Sequence, residues 1–216
     1  LTITIMSIRE KIRQIKHLQN KYFICVLENP TDIVNIASAM RNISAFGVTK
    51  LYIVGGDKNI LKDFETSRKS KRLRKISVGA NKWVFVKHFD TSIECMEHLK
   101  KNLYTSIVTS SHQKGKSNII LYEEVFTQKR LAVWFGNESN GISDQVVGDA
   151  DACIQIPMGG IVESLNLGTS TGIILSYISY QRLKFVYSHS KVRFKSKGFG
   201  KLKTQSWQHF INPHRE

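Results

Sequence analysis

Six short apolar runs punctuate the chain: YFICVL at 22–27, KLYIVGG at 50–56, WVFVKHF at 83–89, LYTSIVTS at 103–110, LAVWFG at 131–136 and ACIQIPM at 152–158. They are rich in β-branched and aromatic residues and bounded by polar stretches, which predicts strands. Within each run the apolar positions are continuous rather than alternating, as they are in strands covered on both faces. Stretches of helical spacing lie between them. The predicted class is therefore α/β, a mostly parallel sheet flanked by helices.

Two helices can be placed by their periodicity. The first follows ENP, with Thr31 or Asp32 as its cap; Ile33, Ile36, Ala37, Met40 and Ile43 form its apolar face, and Gly47 stops it. Its other side carries Asn35, Ser38, Arg41 and Asn42. At about 100° per residue, Asn35 and Arg41 stand roughly 120° apart, so both reach one site only because the arginine is long. Those polar residues fit a solvated helix face as well as a site. The second helix is predicted from about 167 to 183, with Ile173, Ile174, Tyr177, Ile178 and Tyr180 as its apolar surface. Its entrance, GTSTG, is a poor helix former, yet its small side chains would let another backbone or a ligand come close.

Charge narrows the partner. With 32 Lys and Arg against 17 Asp and Glu, the chain carries +15, which favours a polyanion. Residues 62–75 hold +5 of this and residues 182–216 hold +8, so the rest is nearly neutral. The run SRKSKRLRK at 67–75 suits a solvated loop or an RNA contact, the latter through Arg68, Lys69, Lys71, Arg72 and Arg74. Beyond residue 190, Lys191, Arg193, Lys195 and Lys197 interleave with aromatic residues in a pattern suited to phosphate contact and base stacking. The expected organisation is one domain at 21–184, with a helical N-terminal extension at 1–20 and a basic extension at 185–216.

Other chemistries are poorly supported. Cys25, Cys95 and Cys153 lack any Cys-x-x-Cys pairing, which argues against a disulfide framework or zinc site and for a reducing cytoplasm. The seven histidines show no ligand spacing, so no metal is expected. No apolar run approaches the roughly 20 residues that span a bilayer, and no membrane partner is expected. A Walker-type phosphate loop and a Gly-x-Ser-x-Gly elbow are absent, and LENPTD stands where a dinucleotide-binding turn would carry its glycines.

What remains are three stretches that are polar where a plain α/β core would not be: NPTDIVNIASAMRNISAFG at 29–47, FGNESNGIS at 135–143 and IPMGGIVESLNLGTSTG at 156–172. Each sits where a strand meets a loop or helix, the usual ligand position in open α/β sheets. In order and spacing, with SVGANKW at 77–83 also similar, they closely resemble the SpoU/TrmH branch of the SPOUT RNA 2′-O-methyltransferases. That resemblance spans roughly residues 22–183. It implies a SPOUT fold with a C-terminal deep trefoil knot, a homodimer, and S-adenosylmethionine as cofactor. By motif it assigns Asn35, Arg41, Glu138, Ser164 and Asn166 to catalysis, and Thr109, Gly136, Ile156, Met158 and Leu165 to the cofactor. LGTSTG keeps the small residues of the family's third motif but departs from its usual identities.

Only about 20 residues precede the first strand, and the short N-terminal helix with a basic C-terminal extension resembles the tRNA enzyme that methylates the D-loop guanosine. Ribosomal RNA and a wobble-position tRNA are the alternative substrates. A knotted RNA-binding protein without catalysis is the alternative of a different class, against which the intact motif residues weigh.

Overall fold

The computed structural model describes residue 10 and residues 15–56, 71–115 and 117–189, apart from the side chains at 17, 71, 72 and 185–189. Seven parallel strands form one sheet in the order β3-β2-β1-β6-β4-β7-β5. They are β1 Asn20–Glu28, β2 Val48–Val54, β3 Phe85–Phe89, β4 Thr105–Thr109, β5 Asn118–Ile120, β6 Leu131–Phe135 and β7 Ala152–Gln155. Among the described residues, five helices cover it: α1 Ile33–Ala45, α2 Lys71–Ile76, α3 Ser92–Lys101, α4 Asp144–Asp149 and α5 Leu167–His189.

The continuous apolar runs have the predicted consequence. Along β1, Phe23, Cys25 and Leu27 face a core shared with α1, α2 and α5, while Ile24 and Val26 face a second core shared with α3 and α4. All five are fully buried. A strand sandwiched this way has no wet face, which is why its sequence shows no alternation.

Three details differ from the sequence reading, the first being Tyr180, which its spacing placed on the apolar surface of the last helix but which is 62% exposed. Strand β5 belongs to no predicted run, because three residues are too few to show a period and its pairing is entirely with the distant β7. The last helix extends to His189, past the predicted end near 183 and across the expected domain boundary at 184.

α1 starts and stops as its sequence dictates. The Asp32 carboxylate accepts from the Val34 amide at 2.8 Å, and Gly47 turns the chain at φ +71°, where a Cβ would stand 2.6 Å from the Leu18 carbonyl oxygen. α5 packs across α1 at its small-residue entrance. A Cβ on Gly168 would lie 2.9 Å from Ser38 Cβ, and one on Gly172 would lie 3.3 Å from Asn42 Nδ2. Asn42 uses that closeness, donating to the Gly168 carbonyl at 2.7 Å and the Thr171 hydroxyl at 3.0 Å. The α1 polar side is therefore a packing surface around Ser38 and Asn42, not a solvated face.

Candidate active site

The three polar stretches converge beyond the carboxyl ends of β1, β4, β6 and β7. At their centre is a chain of oriented amides. Asn166 caps α5, its Oδ1 accepting from the Gly168 and Thr169 amides at 2.8 and 3.3 Å, while its Nδ2 donates to Asn35 Oδ1 at 3.0 Å. Asn35 is 7% exposed and in turn donates from Nδ2 to Glu138 Oε1 at 2.8 Å. The other Glu138 oxygen accepts from the Thr31 hydroxyl at 2.9 Å and the Thr31 amide at 3.3 Å. Each amide donates at one end and accepts at the other, so neither side chain can flip without breaking the chain. This also settles the cap of α1: Asp32 takes that role because Thr31 is held by Glu138.

Burial by itself would raise the Glu138 carboxyl. The hydrogen bonds from the Asn35 side chain, its own backbone and Thr31 outweigh that, and its pKa lies below the ordinary carboxylate value. Glu138 is therefore an anionic tie between the second motif and α1.

The loop that carries Glu138 is built on backbone contact. Asn137 and Gly141 exchange two backbone hydrogen bonds of 2.9 Å, and Asn137 Oδ1 accepts from the Ser139 and Asn140 amides. Its Nδ2 reaches across to the Asn29 carbonyl at 2.6 Å. Gly136 lies against this turn so closely that a Cβ would stand 2.1 Å from the Gly141 carbonyl carbon and the Ile142 nitrogen. Behind it, Glu28 is 2% exposed. It accepts from the hydroxyls of Ser92 and Ser143 at 2.6 Å each and from the Ser143 amide at 2.8 Å, pinning the end of β1 to the first residue of α3 and the cap of α4.

Beside this network opens a cavity of about 330 Å³ at the ends of β4, β6 and β7. Thr109, Gly136, Ile156, Met158 and Leu165 all line it, as do Glu138 and Ser164. The floor is apolar, from Ile154, Leu167 and Ile174, and the rim is polar. Such a cavity suits an amphiphilic small molecule, with the Gly136 turn offering backbone groups at close range.

Residues 22–176 match the SpoU rRNA Methylase family. The chain belongs to this family. It is 28% identical over 173 residues to the tRNA (guanosine(18)-2′-O)-methyltransferase of Aquifex aeolicus, covering 80% of this chain and 76% of that protein. The identity to the Thermus thermophilus protein of the same name is also 28%, over 176 residues, covering 82% and 84%. Among solved structures, the A. aeolicus TrmH/SpoU tRNA modifying enzyme superposes with a TM-score of 0.67 at 26% identity, covering 86% of this chain and 89% of that one. The SpoU methyltransferase AviRb from Streptomyces viridochromogenes in complex with AdoMet shares the fold, with a TM-score of 0.62 at 21% identity over 77% and 62% of the two chains.

Within this SpoU framework the motif residues divide. Asn35, Glu138 and Asn166 form one hydrogen-bonded unit, and Ser164 stands exposed on the loop at the cavity. Arg41 is apart from them: it is exposed on α1 and its guanidinium bonds to no other described residue. Six residues along a helix place it about 9 Å from Asn35. Of the expected RNA contacts, Arg74 is exposed on α2. The side chains of Lys71 and Arg72, together with Arg68, Lys69, Lys191, Arg193, Lys195 and Lys197, lie outside the described residues. Sequence reasoning missed Glu28, Thr31, Asn42 and Asn137 as organisers of the site. Glu28 and Asn137 carried a signal, since each is a polar residue at the carboxyl end of a buried apolar run.

Proposed function

We propose that this chain is an S-adenosylmethionine-dependent RNA ribose 2′-O-methyltransferase whose substrate is tRNA, modified at the D-loop guanosine. The observation that carries the reading is the Asn166–Asn35–Glu138 chain bordering an amphiphilic cavity, within a fold of SpoU membership. The relatives whose printed names specify tRNA and guanosine support the choice of RNA.

The cavity residues fit the cofactor. Ile154, Ile156 and Leu165 offer an apolar surface for an adenine ring, Thr109 and Ser164 offer hydroxyls, and Gly136, packed without a side chain against the Gly141 turn, brings that loop's backbone to the cavity wall. S-adenosylmethionine supplies an electrophilic methyl on a sulfonium that already carries its charge, so the reading involves no metal. Asn35, Glu138 and Asn166 hold the loops on either side of that cavity in one arrangement, which aligns the reacting atoms without reorganisation. The ribose 2′-oxygen loses its proton as it gains the methyl. A guanidinium stays protonated and is no proton acceptor, so Arg41 holds an RNA phosphate and orients the ribose, with water or a phosphate oxygen receiving the proton.

The same reading includes the trefoil knot, for which the support is the insertion of β7 between β4 and β5 and the passage of α5 beneath residues 121–130. It includes a homodimer, supported by the separation of Arg41 from the cavity of its own chain. It places the protein in the cytoplasm, where Cys25, Cys95 and Cys153 stay reduced; all three thiols are buried and raised above their ordinary pKa. The basic stretches at 62–75 and 191–197 are the further RNA contacts.

Transfer of labelled methyl to a tRNA transcript tests the function. Incorporation is expected with the unmodified transcript and is expected to vanish when the D-loop guanosine is replaced by its 2′-deoxy form. Incorporation that survives this replacement, or that occurs only with ribosomal RNA, would refute the assignment.

A further inference from the structure

A second group of cations lies at the opposite end of the sheet. On the face covered by α3, Lys50 of β2 and Lys87 of β3 point the same way as Tyr52 and Phe89, with register Lys50↔Phe85 and Tyr52↔Lys87. Strand spacing puts the two lysines about 8 Å apart. Lys101 ends α3 above them. All three charges press on the His98 ring, which burial and then Lys87, Lys50 and Lys101 hold below its ordinary pKa. Lys87 Nζ is 3.5 Å from His98 Nδ1 and 4.5 Å from the Phe89 ring centre.

None of the three lysines forms an ion pair among the described residues, whereas the neighbouring Lys100 is bound to Asp149 at 2.8 Å. Like charges gathered on an ordered surface without ion-pair partners are unfavourable unless an anion joins them. Exposed rings sit beside them. Phe85 is 56% exposed at the sheet edge and Tyr22 46% exposed on β1, the latter stacked under Arg130 at 5.5 Å. Apolar and cationic groups therefore alternate over the amino ends of β1, β2 and β3. The lysines carry no planar recognition geometry, which suits sequence-independent contact with phosphates.

We infer that Lys50, Lys87 and Lys101, with Phe85 and Tyr22, form a second RNA-backbone contact surface remote from the methylation site. It lies on the order of 20 Å from the cavity, two or more strands away and at the other end of the strands. A short RNA loop seated at the cavity does not reach it; a folded RNA extending from that loop does. The surface therefore adds affinity for the whole RNA and takes no part in methyl transfer. The kinetic part of this inference rests on the proposed methyltransferase function, and the binding part does not.

The test uses a triple variant, Lys50→Gln, Lys87→Gln and Lys101→Gln, whose folding is checked by thermal melting, with Lys101→Glu as a milder variant outside the sheet. Binding of a full-length tRNA transcript is measured against KCl concentration. The log–log slope is expected to fall by roughly 2 to 3 in the triple variant and by about 1 in Lys101→Glu, with affinity at least tenfold weaker in the triple variant. Methylation of the full-length transcript is expected to show a raised KM at unchanged kcat, while a short stem-loop with the same target nucleotide responds to neither variant. Affinity for S-adenosylmethionine stays as in the wild type. An unchanged slope and affinity in folded variants would overturn the inference. So would a changed sedimentation coefficient at unchanged RNA affinity, which would assign the face to a second copy of the chain. A wild-type protein that binds tRNA without methylating it would sink the functional reading alone.

Discussion

Asn35→Asp is the smallest change that reverses the logic of the site. It keeps size and shape but removes the Nδ2 donor that meets Glu138 Oε1 at 2.8 Å, setting two carboxylates against each other. A hydrogen bond to a charged acceptor contributes about 1.5 to 3 kcal/mol; because Glu138 is exposed to solvent, about 1 to 2 kcal/mol is expected here. The pair can relieve itself by sharing a proton, so one carboxyl is raised in the folded variant. In the wild type Glu138 is lowered, so it contributes stability at neutral pH that fades as pH falls through the carboxylate range. In the variant the repulsion is complete at high pH and relaxes as pH falls. Between pH 5 and pH 8 the wild-type contribution is already complete, because Glu138 is lowered, so the growing repulsion in the variant alone widens the gap over that range. Thermal unfolding at the two pH values measures it, and Glu138→Gln added to Asn35→Asp supplies a donor and should recover most of the loss. A variant as stable as the wild type at pH 8, or a double variant without recovery, would refute the proposed network.

Gly136→Ala forces a Cβ to within 2.1 Å of backbone in the Gly141 turn; a loss of about 2 to 3 kcal/mol and a tenfold or greater weakening of S-adenosylmethionine binding are expected by melting and calorimetry. Arg41→Ala should abolish nearly all methylation at almost unchanged cofactor affinity, and Arg41→Lys should fail too if the planar fork matters; near-normal turnover in either would remove Arg41 from the site. Deleting residues 191–216 should leave cofactor binding intact and flatten the salt dependence of RNA binding by roughly 0.7 to 0.9 per lost phosphate contact, read by titration in KCl.

Strands were legible where burial on both faces left no polar position, as in YFICVL and LAVWFG. β5 was not, since Asn118–Ile120 is a strand only by virtue of β7, a partner more than thirty residues away. The site was legible because its motif residues stand where strands meet loops, and Asn35, buried at 7% exposure, is costly to leave unpaired and finds Glu138 and Asn166 as partners. What spacing could not supply was direction: which amide end donates, that Glu28 is buried beneath three hydrogen-bond donors from Ser92 and Ser143, and that Asn42 rather than Arg41 meets α5. The 120° between Asn35 and Arg41 did carry through, with the first buried and the second exposed.

Nucleoside mass spectrometry of a tRNA incubated with the protein and S-adenosylmethionine tests the methyltransferase assignment most directly. 2′-O-methylguanosine, mapped to the D-loop, is expected with wild-type protein, and its near-complete loss with Arg41→Ala. A tRNA without any 2′-O-methylated nucleoside after incubation with folded, cofactor-binding protein would contradict it.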